Sequence, residues 1–147
     1  MTQAVAQVSK TIDAASEKVW RALTTPKTLK TYFMGADVES DWKIGHDIRF
    51  RGQFKGKPYE DHGEIRSFEP GKRLAFSHFS PLSGAKDVPA NYNLITIDLE
   101  PAGAKTRVTL TQAKLQGEPK AEDLKHKDEF AKNWASVLDG LNKAVAG

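Results

Sequence analysis

The chain reads as an α+β protein in which an antiparallel β-meander is flanked by helices, the longest of them C-terminal. Three observations predict this. The hydrophobic period is twofold from about residue 36 to about residue 112 and helical on either side. Short clusters of turn residues separate the twofold runs, which favours hairpins over crossover connections. The last segment carries one continuous apolar stripe at spacings of three and four, and such a stripe must be buried.

Taken in order, "VAQVSKTI" (residues 5–12) alternates as a strand and stops at Asp13 and two alanines. Ser16 is expected to cap a helix, because its hydroxyl can accept a backbone N–H left unpaired at a helix start. Val19, Trp20 and Leu23 follow at helical spacing. Thr25 and Pro26 mark a second start, since proline at the first helical position loses nothing by lacking its donor. This second short helix is expected to end near Gly35. Six twofold runs come next: "ADVESDW", "DIRFRGQF", "YEDHGEIRSF", "RLAFSHF", "YNLITIDLE" and "TRVTLTQ". Between the fourth and fifth lies "SPLSGAKDVPAN" (residues 80–91), whose length and proline content predict a functional lid or an excursion rather than a tight turn. The segment "AEDLKHKDEFAKNWASVLDGLNKAVAG" returns to the helical period with Phe130, Trp134, Val137, Leu138, Leu141 and Val145 on one face. Roughly 25 residues at about 1.5 Å each predict one helix close to 37 Å long. Gly140 inside it costs about 1 kcal/mol relative to alanine and is expected to serve a close approach of a strand or ligand.

Composition narrows the function. The 147 residues are 39% hydrophobic and 28% charged, as in an ordinary globular chain, and their number predicts one domain over residues 1–147. With no cysteine, disulfides, thiol nucleophiles and thiolate metal sites are excluded. No apolar run approaches the roughly 20 residues that span a bilayer, and no secretory leader is visible, so a cytoplasmic location without membrane insertion is expected. The net charge of +3 is interleaved rather than gathered on one face, which argues against nucleic acid. Even the densest basic stretch, "RFRGQFKGK", reads as the solvated outer face of a strand. His46, His62, His78 and His126 show no short ligand spacing, and no phosphate loop or nucleophile elbow is present, so neither a metal nor another cofactor is expected.

Because side chains alternate across a pleated strand, the candidate concave face can be enumerated. It holds Ile48, Phe50, Gly52 and Phe54; Tyr59, Asp61, Gly63 and Ile65; Leu74, Phe76 and His78; Ile95, Ile97 and Leu99; and Val108, Leu110 and Gln112. Arg49, Arg51 and Gln53 fall outside. Tyr59, Asp61, His78 and Gln112 are thus polar groups on an apolar surface, and each needs a partner, because an unpaired buried polar group costs about 1–3 kcal/mol. His78 oriented by Asp61 would suit a general base, provided the two approach within about 3 Å.

The stretches "VWRALT", "FEPGKRLAFSHF", "TRVTLTQ" and "NWASVLDGL" together resemble the START-like (SRPBCC) superfamily, within it the activator of heat-shock chaperone ATPase family in its single-domain bacterial form. The resemblance covers about residues 5–145. It implies a helix-grip fold, in which a seven-stranded antiparallel sheet wraps around the C-terminal helix and encloses a cavity for apolar molecules. Where relatives commonly carry a tryptophan this chain has His78 and Phe79, and where they carry a histidine it has Gln112. The implied ligand-binding set is Phe33, Phe50, Phe54, Tyr59, Asp61, Phe76, His78, Gln112 and Trp134. The expected function is non-catalytic binding of a small hydrophobic or amphipathic molecule by a monomer or weak homodimer. The alternatives are a co-chaperone that stimulates a chaperone ATPase, acting through exposed residues such as Arg49 and Arg51, and a cyclase- or hydrolase-like enzyme using His78 or Asp61.

Overall fold

The six twofold runs pair in sequence order, and the first strand closes onto the last. The computed structural model describes residues 4–146 apart from the side chain of Phe54. The elements are β1 (Ala4–Ile12), α1 (Ser16–Leu23), α2 (Pro26–Tyr32), β2 (Asp37–Ser40), β3 (Asp47–Phe54), β4 (Lys57–Glu69), β5 (Arg73–His78), β6 (Asn93–Ala102), β7 (Lys105–Lys114), α3 (Ala121–Lys125) and α4 (Lys127–Val145). The seven strands form one antiparallel sheet in the order β1-β7-β6-β5-β4-β3-β2. The concave face of this sheet and the apolar stripe of α4 make a single core, in which Val137, Leu138, Leu141 and Val145 join Ile48, Ile65, Ile95, Ile97 and Leu110. This is the helix-grip arrangement.

Alternation decides what lies inside. Ile48 and Phe50 on β3 are buried while Arg51 between the strands' inward positions is exposed, and Leu74 with Phe76, Ile95 with Ile97, and Val108 with Leu110 repeat the pattern. On the outer face Glu60 receives Arg49 Nη1 at 2.7 Å and Arg51 Nε at 3.3 Å, and Arg51 Nη1 also reaches Glu39 at 2.8 Å. The hydrogen bonds from Arg49 and then Arg51 hold the Glu60 carboxyl below its usual range. The basic stretch is thus a cross-strand ion-pair ladder.

Several local expectations are corrected. Ser16 is the first residue of α1, not its cap, and its hydroxyl lies 3.1 Å from Thr106 Oγ1 on β7. The C-terminal helix is not continuous, because the chain turns at His126 and divides it into α3 and α4. The apolar stripe begins only at Phe130. Upstream of it, Leu124 is exposed, so no apolar contact draws this turn onto the core; instead Asp123 accepts the Lys120 N–H at 2.8 Å and pairs with the buried Lys114 at 3.6 Å. Gly140 does serve a close approach, but of a helix: a Cβ there would stand 2.7 Å from Tyr32 Cβ on α2. Tyr32 itself is buried, and its hydroxyl donates to the Ala22 carbonyl at 2.8 Å, satisfying one of the unpaired carbonyls at the end of α1.

Residues 80–91 leave the sheet and form two 3₁₀ turns, Pro81–Ser83 and Pro89–Asn91. A polar knot on the outer face ties the segment down. His62 Nε2 lies 3.0 Å from both Asp87 Oδ2 and the Tyr92 hydroxyl, which itself donates to Asp87 Oδ1. Burial, helped by Asp87, pushes the Tyr92 phenol up to about 12, while the Tyr92 hydrogen bond holds Asp87 low.

Candidate functional site

Two hollows open between α4 and the concave sheet. The larger, ≈ 510 Å³, is bounded by Tyr32 and Met34 after α2, Gln53 and Tyr59 on the β3 to β4 hairpin, Asp61, Leu82 from residues 80–91, and Asn133, Ser136 and Val137 on α4. The smaller, ≈ 160 Å³, is bounded by Met34, His78, Asn93, Ile95, Gln112, Phe130, Asn133 and Trp134. Met34 and Asn133 belong to both walls, so the hollows are lobes of one groove. The wall between them is a hydrogen bond: His78 Nε2 lies 3.0 Å from Asp61 Oδ2.

Register explains this meeting. His78 is the last residue of β5, opposite Asn93 on β6, while Asp61 sits on β4 next to the isolated bridge between His62 and Phe79. Neighbouring strands therefore bring three inward-facing polar residues into one row. Gly63 makes the row possible, because a Cβ there would fall 1.8 Å from the Ser77 carbonyl oxygen. With Asp61 ionised, His78 Nε2–H donates to it and the imidazole is oriented by that bond. The Asp61 and Asn93 Oδ1 atoms are both buried without a hydrogen-bond partner in the structure. Further along the groove, Trp134 Nε1–H donates to Gln112 Oε1 at 2.7 Å. Tyr59 is raised above its usual pKa, first by burial and then by the charge of Asp61.

The structure divides the sequence-predicted residues into two groups. Tyr59, Asp61, His78, Gln112 and Trp134 line the groove. Phe33, Phe50 and Phe76 do not; they surround a residual void of ≈ 10 Å³, at most about one water, and are part of the core. Their rings are in mutual contact, with centroids 5.8 Å apart for Phe33 and Phe50 and 5.4 Å for Phe50 and Phe76. The deep interior beneath the groove is therefore filled rather than open. The side chain of Phe54 lies outside the described residues. Six further groove residues escaped the sequence reading: Met34, Leu82, Asn93, Asn133, Ser136 and Gln53, the last expected on the outer face but brought to the rim of the larger lobe at the end of β3. For two of them a signal existed. Asn93 continues the inward alternation of Ile95, Ile97 and Leu99, and Asn133 shares the helical spacing of Phe130 and Val137. Among the described residues no group of histidines and carboxylates is arranged to hold a metal ion, and no helix is long and apolar enough to cross a membrane.

The family model for "Activator of Hsp90 ATPase homolog 1-like protein" matches residues 13–146. The chain belongs to that family. A solution structure from Cytophaga hutchinsonii is 41% identical, covers 94% of this chain and 90% of its own, and superposes with a TM-score of 0.76. The Aha1 dimer from Colwellia psychrerythraea is 23% identical over 95% of this chain and 93% of its own, with a TM-score of 0.69. CalU16 from Micromonospora echinospora, at 20% identity over 95% of this chain and 74% of its own, has a TM-score of 0.69. These last two share the fold. No curated protein matches the chain.

Proposed function

We propose that this family member binds a small amphipathic molecule in the groove between α4 and the sheet, without transforming it. The observation that carries this reading is the make-up of the groove. Its larger lobe, ≈ 510 Å³, falls within the size range of small-molecule sites, and its walls combine aromatic and aliphatic side chains with a few convergent polar groups. Tyr59, Asp61, His78, Gln112 and Trp134 would touch the ligand. Phe33, Phe50 and Phe76 would form the rigid floor that keeps those residues in place. The apolar part of the ligand would lie along Val137, Met34 and Leu82, the last two of which are more than half exposed at the rim.

Nile red, a neutral apolar dye, tests this reading. Saturable fluorescence enhancement at one site per chain is the expected result. Replacing exposed Ser136 by tryptophan should fill the larger lobe and abolish the enhancement without lowering Tm. Equal enhancement in the Ser136→Trp variant would place the dye elsewhere and remove the support.

A second reading is favoured by the family's description and by the exposed ladder of Glu39, Arg49, Arg51 and Glu60: stimulation of a chaperone ATPase through that outer face. Charge reversal of Arg49 and Arg51 together would then abolish stimulation of a purified chaperone, whereas filling the groove would leave stimulation unchanged.

A further inference from the structure

The polar centre of the groove has a sign. Among the described residues lining its two lobes, Asp61 is the one carboxylate and there is no lysine or arginine. The orphan atoms at that centre, Asp61 Oδ1 and Asn93 Oδ1, are both acceptors, and they flank His78 from the neighbouring strands. Leaving two acceptors unpaired is unfavourable, and the group that satisfies both must donate. Aromatic side chains line both lobes, Tyr32 and Tyr59 the larger, Phe130 and Trp134 the smaller. A carboxylate in a groove lined by aromatic residues, with His78 on its other oxygen and the nearby buried Lys114, opposite Asn93 on β7, already paired with Asp123, is the surrounding that favours an organic ammonium through charge-assisted hydrogen bonding and cation–π attraction. A fatty-acid carboxylate or a phosphate would instead face Asp61, with the nearest basic groups, His78 and Lys114, already engaged by Asp61 and Asp123.

Resting on the binding role proposed above, we infer that the ligand is an amphipathic organic amine, its ammonium donating to Asp61 Oδ1 and Asn93 Oδ1 and its apolar body lying in the larger lobe. Specificity then comes from the row of Asp61, His78 and Asn93. His78 is a positioning residue, since its Nε2 occupies Asp61 Oδ2 and leaves the buried Oδ1 as the oxygen that still lacks a donor.

Three probes with the same apolar body separate the possibilities: phenylbutylamine, phenylbutanol and phenylbutanoate, each titrated into the unmodified protein and followed through the Trp134 indole N–H resonance. The amine is expected to bind at least about tenfold more tightly than the alcohol, the usual advantage of a hydrogen bond to a charged group, and the carboxylate more weakly than either. Asp61→Asn should remove the amine's advantage over the alcohol. If the alcohol or the carboxylate binds as tightly as the amine, the inference is overturned while the binding role stands. If none of the three binds, both fall. The comparison on the unmodified protein decides the matter even if Asp61→Asn does not fold.

Discussion

Gly140→Ala is the substitution whose cost the structure states most directly. In an isolated helix, alanine in place of glycine would stabilise by about 1 kcal/mol. Here the new Cβ would sit 2.7 Å from Tyr32 Cβ, closer than atoms pack, with Tyr32 Cα at 3.5 Å behind it. Tyr32 cannot swing aside, because the contact is at the root of its side chain and its hydroxyl is held by the Ala22 carbonyl at 2.8 Å. The two helices must separate. Overpacking costs about 1–3 kcal/mol, and a contact this short at the root of a held side chain stands in the upper half of that range, so after the gain of about 1 kcal/mol in helix propensity a net loss of roughly 1–2 kcal/mol remains. For a chain of this size that corresponds to a fall in Tm of roughly 3–6 °C, measurable by thermal unfolding followed by circular dichroism. The larger lobe should also open, since Tyr32 and Val137 stand on its opposite walls. An unchanged or raised Tm would mean that α2 and α4 do not meet at Gly140.

Other substitutions probe the remaining supports. Gly63→Ala puts a Cβ 1.8 Å from a backbone oxygen of β5 and should cost at least about 3 kcal/mol by forcing β4 from β5; urea unfolding measures it, and a loss under about 1 kcal/mol would contradict the strand packing. Phe50→Ala removes a ring in contact with Phe33, Phe76 and His78 and should cost about 3–5 kcal/mol, again read from urea unfolding, because the site is core rather than ligand contact. Tyr32→Phe leaves the Ala22 carbonyl unpaired and should lower stability by about 1 kcal/mol in the same assay. All three tyrosines, Tyr32, Tyr59 and Tyr92, are raised, with burial the leading cause, so tyrosinate absorbance should develop above the ordinary midpoint near pH 10. A raised folded-state pKa contributes stability that is complete below about pH 10 and is lost as pH rises through the folded value, so the tyrosines' contribution to thermal stability should be lost on that alkaline side.

Strand residues were legible because period-two alternation is a local property. "DIRFRGQF" became β3 over the same residues, and placing His78 and Asp61 on one face needed only the pleat. Depth was not legible. Alternation says that Phe50, Phe76 and His78 face inward, but only the position along the strand, set by the closure of α2 and α4 over the sheet, makes the two phenylalanines floor and the histidine wall. The break at His126 escaped for a related reason. "AEDLKHKDEF" has good helix formers throughout, yet the chain turns where no apolar side chain holds it to the core. Met34 has φ 55° in the turn after α2, a conformation fixed by how the helix meets β2 rather than by its own side chain.

Native mass spectrometry of the protein purified from its own host, before and after denaturation, decides whether the groove carries a small molecule. Expected is an added mass that is lost on denaturation and that is diminished in the groove-filling Ser136→Trp variant. A bare protein mass, with a chaperone co-purifying through the Arg49 and Arg51 face instead, would rule out the proposed binding role.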